Sequence, residues 1–278
     1  MNYHFVVCMK QVPMVSELPW DSRSGRLKRE LADGMMNPAC KYALEAAIRL
    51  KNRHGGRITA LTMGPPMAEE ILREAIALGA DRGILLTDPN MAGADTMVTS
   101  FTLARAIAMA CPDYDLILCG CHTSDSETAQ VGPQLAEELA VAGIAYVEKL
   151  ELRGRTVRVE RESDDFLETL EMGLPGVVTM ATHYYTPRYA SLGGLQVAFD
   201  HNPVTVLDAV GLGLTPNQIG KTASPTQILD VYSPVADKEN IVIRGSAKKV
   251  VEDLFEHFGD QIGAAVGKDL KPHEQPND

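Results

Sequence analysis

The chain has 278 residues, 45% of them hydrophobic, which is enough for one large domain or one domain with a smaller appendage. Its formal charge of −11 argues against nucleic acid or an anionic membrane as a main partner, because binding phosphate polymers draws on clustered Lys and Arg. No apolar run approaches the ~18 residues of a membrane span and no charged-then-apolar leader opens the chain, so a cytoplasmic protein is expected.

In chain order, the first half alternates strand and helix signals. "FVVCM" (5–9) reads as a buried strand. "NPACKYALEAAIRLKNRHGG" reads as a helix with Asn37 as N-cap, Pro38 in its first turn, a stop at Gly55 and Gly56, and an apolar face at 40, 43, 44, 47 and 48. A strand at 57–64, a helix at 67–80 ending near Gly79, a strand at 82–88, a helix at 96–110 and a strand at 114–120 follow. Strands that are apolar throughout and separated by helices predict a parallel sheet covered on both faces. Ligands in such sheets bind outside the carboxyl ends of the strands, here 8–11, 62–66, 87–90 and 120–130.

After a helix expected over 135–142, the pattern changes. "AYVEKLELRGRTVRVERE" reads as a hairpin turning at Gly154, and 166–182 as a further strand pair of the same antiparallel extension. Residues 183–240, rich in Pro, Gly, Thr and Asn, suit an extended arm with too little periodicity to fold alone. A last amphipathic helix is expected at 246–259, before a frayed tail. The expected organisation is an α/β domain over 1–182, an arm over 183–240 and a C-terminal helix and tail over 241–278.

The five cysteines, Cys8, Cys40, Cys111, Cys119 and Cys121, fit reduced cytosolic thiols better than a disulfide framework. Cys119 and Cys121 stand too close for the usual paired metal-ligand spacing and suit small core or pocket-lining residues. No nucleophile elbow, zinc-protease helix, Walker loop or G-x-G-x-x-G turn is present, so no catalytic residues are assigned. The "ESDDF" run (162–166) reads as a solvated turn.

The stretch "GCHTSDSETAQVGPQL" (120–135) joins a strand to a helix through small and hydroxyl residues. Backbone amides at such a junction lack intrahelical partners and bind anions without a basic side chain. Thr128, Gln130 and the amides near Val131 and Gly132 are the candidates. Asp125 would repel a phosphate and suits ribose hydroxyls, or caps the turn itself. A helix entry with no ligand fits the segment equally well.

Seven segments in order resemble the β subunit of electron-transfer flavoproteins. They are "CMKQVP" (8–13), "NPACKYALEAAIRL" (37–50), "TMGPP" (62–66), "ALGADRGILL" (77–86), "LILCG" with "DSETAQVGP" (116–133), "VERESDDFLETLEMGLPGVVT" (159–179) and "PRYASL" (187–192). They extend over about two-thirds of the chain. The resemblance implies a Rossmann-like parallel sheet of the adenine-nucleotide-binding type, with an antiparallel extension and a C-terminal arm. It implies an electron-carrying heterodimer with an α subunit that holds a mobile FAD and shares a domain with the end of this chain. Carried over by motif, the nucleotide site of this chain would use Cys8, Asn37, Pro38, Cys40, Met63, Gly120, Cys121, Ser124, Asp125, Ser126, Thr128, Ala129, Gln130 and Val131.

The family divides into a conventional type that holds AMP in this site and a bifurcating type that holds a second FAD and accepts electrons from NADH. Lys10–Pro13 and Thr128–Pro133 resemble the bifurcating type, whose loop reads D-G-D-T-A-Q-V-G-P; here Ser126 and Glu127 replace the Gly and the second Asp. "PRYASLGGLQVAF" resembles the loop that anchors a flavin dehydrogenase, such as an acyl-CoA dehydrogenase-like protein, through an exposed Leu, here Leu192. The lysine run that follows it in mitochondrial members is replaced by 196–201, so the partner surface should differ. From another functional class, a nucleotide sensor or ATP-cleaving enzyme of related fold would carry a Gly-rich loop after the first strand, where this chain has "MKQVPM".

Overall fold

The computed structural model describes residues 2–14, 20–21, 26–27, 33–200, 203–226 and 241–269. Its elements in chain order are β1 (His4–Met9), β2 (Gln11–Pro13), β3 (Trp20–Asp21), β4 (Arg26–Leu27), β5 (Gly34–Met36), α1 (Pro38–His54), β6 (Arg57–Met63), α2 (Glu69–Leu78), β7 (Arg82–Leu86), α3 (Thr96–Ala110) and β8 (Leu116–Gly120). Then follow α4 (Val131–Glu138), β9 (Ala142–Val147), β10 (Lys149–Arg153), β11 (Thr156–Ser163), β12 (Phe166–Gly173), β13 (Gly176–Met180), α5 (Leu192–Asp200), β14 (Val204–Leu207), α6 (Gly220–Ala223) and α7 (Ala247–Asp269).

Seven strands form one parallel sheet in the order β14-β7-β6-β1-β8-β13-β9. Side chains alternate across it, so each strand feeds two cores. Phe5, Val7 and Met9 of β1 pack with Ala43, Leu44 and Ala47 of α1 and Ile71, Leu72 and Ala75 of α2. Val6 and Cys8 point into the other core, with Leu103, Ala106 and Ile107 of α3 and Leu135 of α4. The apolar face expected on α1 is the buried one, and Gly55 and Gly79 end α1 and α2 with φ of 77° and 137°. Such positive φ values cost glycine little and a side-chain-bearing residue more.

β10, β11 and β12 form the separate antiparallel sheet, turning at Gly154 and at Asp164 and Asp165. Several expectations are corrected. Residues 166–182 are not two strands of one extension: β12 pairs with β11, whereas β13 runs parallel between β8 and β9. Its five residues are buried on both faces, the signature of an interior parallel strand. The helix expected over 135–142 is α4, starting at Val131, and Ala142 already belongs to β9.

The stretch expected to be an extended arm holds the helix α5 and the edge strand β14, which pairs with β7 through Val204–Leu207. Hydrogen bonds across that edge supply the order that sequence periodicity does not show. Residues 201–202 and 227–240 of that stretch lie outside the described residues, as does the tail from 270. Contacts group Met1–Val231 into one compact unit and Tyr232–Asp278 into a second. In the second unit, α7 runs ten residues beyond the expected end at 259, through Asp269.

Candidate functional site

The chain lays β1, β6 and β7 side by side, then crosses under α3 to place β8 on the other flank of β1. Strand order therefore reverses between β1 and β8, and a crevice at their carboxyl ends is where open α/β sheets bind ligands. Lys10 leaves β1 there, the loop 121–130 leaves β8, and the N-terminus of α1 closes the third side.

Close packing joins these parts. A Cβ on Gly120 would lie 2.8 Å from the Ala39 carbonyl carbon and 2.9 Å from Cys40 N, so only glycine lets β8 meet the first turn of α1 this closely. Asn37 is buried and stands at the N-cap position, but its side chain makes no cap bond, contrary to expectation. Instead Asn37 Nδ2 donates to the His122 carbonyl at 2.8 Å, and Oδ1 accepts from Ser124 N–H at 3.0 Å. One amide side chain thus holds the loop after β8 from 85 residues away. The Asn37 N–H donates in turn to the Lys10 carbonyl at 2.9 Å, tying in the exit of β1.

Asp125, expected to meet ribose hydroxyls or to cap the turn, takes a hydrogen bond from Thr123 of that turn and has a further partner. It is engaged within the protein, 2.8 Å from Lys10 Nζ through both carboxylate oxygens. Partial burial pushes its carboxyl upward, but hydrogen bonds from Lys10 and Thr123 outweigh this and hold it below the usual range. The ion pair cancels the acid that would otherwise repel an anion in the crevice.

Beyond Asp125 the loop is wound tightly. Glu127 N–H donates to the Thr123 carbonyl at 2.8 Å, and the Thr123 and Ser126 hydroxyls are 2.8 Å apart. Glu127 and Ala129 take left-handed φ values of 50° and 55°, sparsely populated for residues with a Cβ. Among the described residues, the N–H groups of Thr128, Ala129 and Gln130 enter no hydrogen bond. Those of Val131 and Gly132 open α4, where intrahelical partners do not exist. The Gln130 side chain accepts from the Thr96 hydroxyl at 2.9 Å, which ties this row of amides to α3.

The rest of the wall is neutral. Cys8 lies in register with Cys119 on the neighbouring strand, and both are buried. A hydrogen bond from Cys119, together with burial, pushes the Cys8 thiol well up, and burial raises Cys40 and Cys121. These thiols stay protonated at neutral pH and serve as small apolar lining rather than nucleophiles. Met63 ends β6 and is half-buried, and Pro38 is exposed in the first turn of α1.

Among the described residues, three buried side-chain polar atoms lack a partner, and two of them, Thr62 Oγ1 and His122 Nδ1, are at the carboxyl end of the sheet. Free amides, an internally neutralised acid and these two orphaned atoms suit an anionic, polar ligand such as a nucleotide. Among the described residues, no arrangement of nucleophile and base accompanies them. Cys8, Asn37, Cys40, Gly120, Cys121, Ser124 and Asp125 are thus brought together, with Ser126, Thr128, Ala129, Gln130 and Val131 on the outer run of the loop. Leu192 is elsewhere, at the start of α5 and 87% exposed. Sequence reasoning placed Lys10 in a motif but assigned neither Lys10 nor His122 to the site; a basic residue directly after the first strand was the available signal for Lys10.

A family model described as electron transfer flavoprotein domain matches residues 25–203. The electron transfer flavoprotein subunit beta of Thermoanaerobacterium thermosaccharolyticum is 38% identical over 255 residues, 92% of this chain and 97% of that protein. The caffeyl-CoA reductase-Etf complex subunit CarD of Acetobacterium woodii is 39% identical over 242 residues, 87% of this chain and 92% of that one. The acryloyl-CoA reductase electron transfer subunit gamma of Anaerotignum propionicum is 36% identical over 256 residues, 90% of this chain and 96% of its own.

Proposed function

The chain belongs to the electron transfer flavoprotein family and is an electron-transferring β subunit; on that premise we propose that its strand-exit crevice holds FAD. We read the protein as passing electrons from NADH by flavin-based bifurcation, in a heterodimer with an α subunit that shares a domain with residues 241–278. The observation that carries the nucleotide reading is the run of unbonded amides from Thr128 to Gln130, placed against β1 by Asn37 and Lys10. Phosphates would rest on those amides and on the first turn of α4. Cys8, Cys40, Met63 and Cys121 would line the less polar part. FAD, when bound, supplies reversible storage of one or two electrons.

What favours FAD over AMP is the resemblance of 10–13 and 128–133 to the bifurcating type, together with the backbone itself. Ser126 stands where that type has Gly, yet the left-handed residues are Glu127 and Ala129, so a side chain at 126 costs the loop no strain. The names of relatives that serve caffeyl-CoA and acryloyl-CoA reductases support a partner dehydrogenase or reductase of acyl-CoA thioesters. Leu192 would anchor that partner, being exposed and apolar at a helix start. Against an ATP-cleaving enzyme stands β2, which occupies the place after β1 where a phosphate-cradling loop would be and pairs with β5.

The test is acid extraction of the purified αβ complex followed by chromatography of the released nucleotides. Two FAD per heterodimer is the expected result. One FAD with one AMP overturns the bifurcating reading and leaves a conventional carrier.

A further inference from the structure

Glu45, in the middle of α1, is 4% exposed, and carboxylates are rarely buried so far unless paired. Two arginines meet it. Arg49, one turn on, donates from Nε at 2.7 Å. Arg188, 143 residues away, donates from Nε at 2.8 Å to one oxygen and from Nη2 at 3.1 Å to the other, with its backbone N–H at 3.3 Å. Burial pushes the Glu45 carboxyl up, but the two guanidinium groups outweigh it and keep it ionised. A two-point Arg–carboxylate pair fixes direction as well as distance.

The segment that carries Arg188 is fastened again just before it. The Arg49 guanidinium sits 5.1 Å from the Tyr185 ring centre, and the Tyr185 hydroxyl accepts from Leu150 N–H at 3.3 Å. The far side is held on α2. A Cβ on Gly194 would lie 2.1 Å from the Ala77 carbonyl oxygen, and Arg73 Nη1 donates to the Ala198 carbonyl at 2.6 Å. Between the two fixed ends, Tyr189 and Leu192 stand 97% and 87% exposed. Among the described residues, the buried ion pair thus holds a stretch whose Tyr189 and Leu192 side chains face water. Docking explains it, because an anchor held in its bound direction loses less entropy on association.

We propose that Glu45 is a positioning residue for partner docking: through Arg188 it sets the direction of Leu192 without touching the partner. The proposal rests on the reading of Leu192 as the anchor for a dehydrogenase or reductase of acyl-CoA thioesters. It assigns a function to a buried side chain of the nucleotide domain.

The test is a double-mutant cycle in the intact αβ complex. An acyl-CoA dehydrogenase that exchanges electrons with the wild-type complex is the varied reactant, and KM, kcat and flavin content are the readouts. Glu45→Gln is expected to raise KM for the dehydrogenase about tenfold, with kcat at saturation and flavin content unchanged. Arg188→Met, which breaks the same pair from its more exposed side, should do the same should Glu45→Gln fail to fold. In a Leu192→Ala background either change should add less than about twofold, because the anchor they aim is gone. Full additivity, or a fall in kcat and flavin content in place of the KM rise, overturns the positioning role. Leu192→Ala with unchanged KM overturns the docking reading itself, and the positioning role with it.

Discussion

The two ends of the parallel sheet are built on opposite plans. At the amino end the charges around the start of β1 are paired, although His54 Nε2, beside Tyr3, is buried without a partner among the described residues. The backbone N–H of His4 donates to Asp115 at 2.8 Å, its ring nitrogens lie 3.0 Å from Asp113 and 2.8 Å from the Thr59 hydroxyl, and Arg57 and Arg155 pair with Asp113 and Asp115. Arg82 joins by donating to Thr59 at 3.0 Å and to the Ala110 carbonyl at 2.8 Å. At the carboxyl end, amides of the loop after β8 are left unbonded, Glu127 and Ala129 in that loop are left-handed, and Thr62 and His122 keep buried polar atoms without partners among the described residues. The ion pairs around β1 stabilise a frame able to hold the strained loop after β8, and a ligand can complete only what the chain leaves open.

The sharpest way to break this contrast is Asn37→Leu. It keeps the volume but strands the His122 carbonyl and the Ser124 N–H, at a cost of about 2–4 kcal/mol. Both melting temperature and nucleotide content should fall, checked by thermal denaturation and extraction. A stable variant with its nucleotide retained would show that the loop holds itself. Next comes Thr128→Arg, whose bulk should expel the nucleotide while leaving the melting temperature of the nucleotide-free complex unchanged. Glu127→Gln should retain it, since the amides rather than that exposed acid bind. Extraction of both variants decides.

At the closed end the readout is stability alone. Burial holds the His4 imidazole below its usual value, helped by Arg57 and Arg82 and opposed by Asp113. The folded state therefore binds fewer protons than the unfolded one, so stability is full above about pH 6.5 and falls as pH drops through the lowered folded value. Asp113, held to about 2 chiefly by Arg57 and then by His4, adds a second loss only between its unfolded value of 3.8 and about 2. Denaturant unfolding at pH 7 and pH 5 should show the first loss. His4→Gln should flatten that slope without changing nucleotide content at pH 7. The smallest effect is expected for Lys10→Met. The half-exposed pair contributes less than about 1 kcal/mol to stability, but the freed Asp125 should weaken nucleotide binding about three- to tenfold. Lys10→Met with Asp125→Asn should recover it, as measured by titration of the nucleotide into the stripped complex.

Much of the fold was legible because its first half repeats one unit. Apolar runs of five to seven residues and helices with one apolar face mark β1, α1, β6, α2, β7, α3 and β8 in order. β13 was misplaced because it follows β12 closely, and short connections favour antiparallel pairing. Its short run "GVVTM", free of charge and β-branched at three positions, carried the contrary signal of a strand buried on both faces. β14 was missed because an edge strand of four residues has no period long enough to read.

The sequence by itself determined the repeating units, the family and the loop after β8 as the place to look, because these depend on local periodicity and contiguous motifs. Only the tertiary structure decided that β8 lies beside β1, that Asn37 fastens the loop, that Lys10 neutralises Asp125 and that Glu45 holds Arg188. Each of these joins residues 85 to 143 positions apart. Such pairings are set by strand order and helix packing, and no local pattern encodes which distant side chains the fold will bring within hydrogen-bond reach.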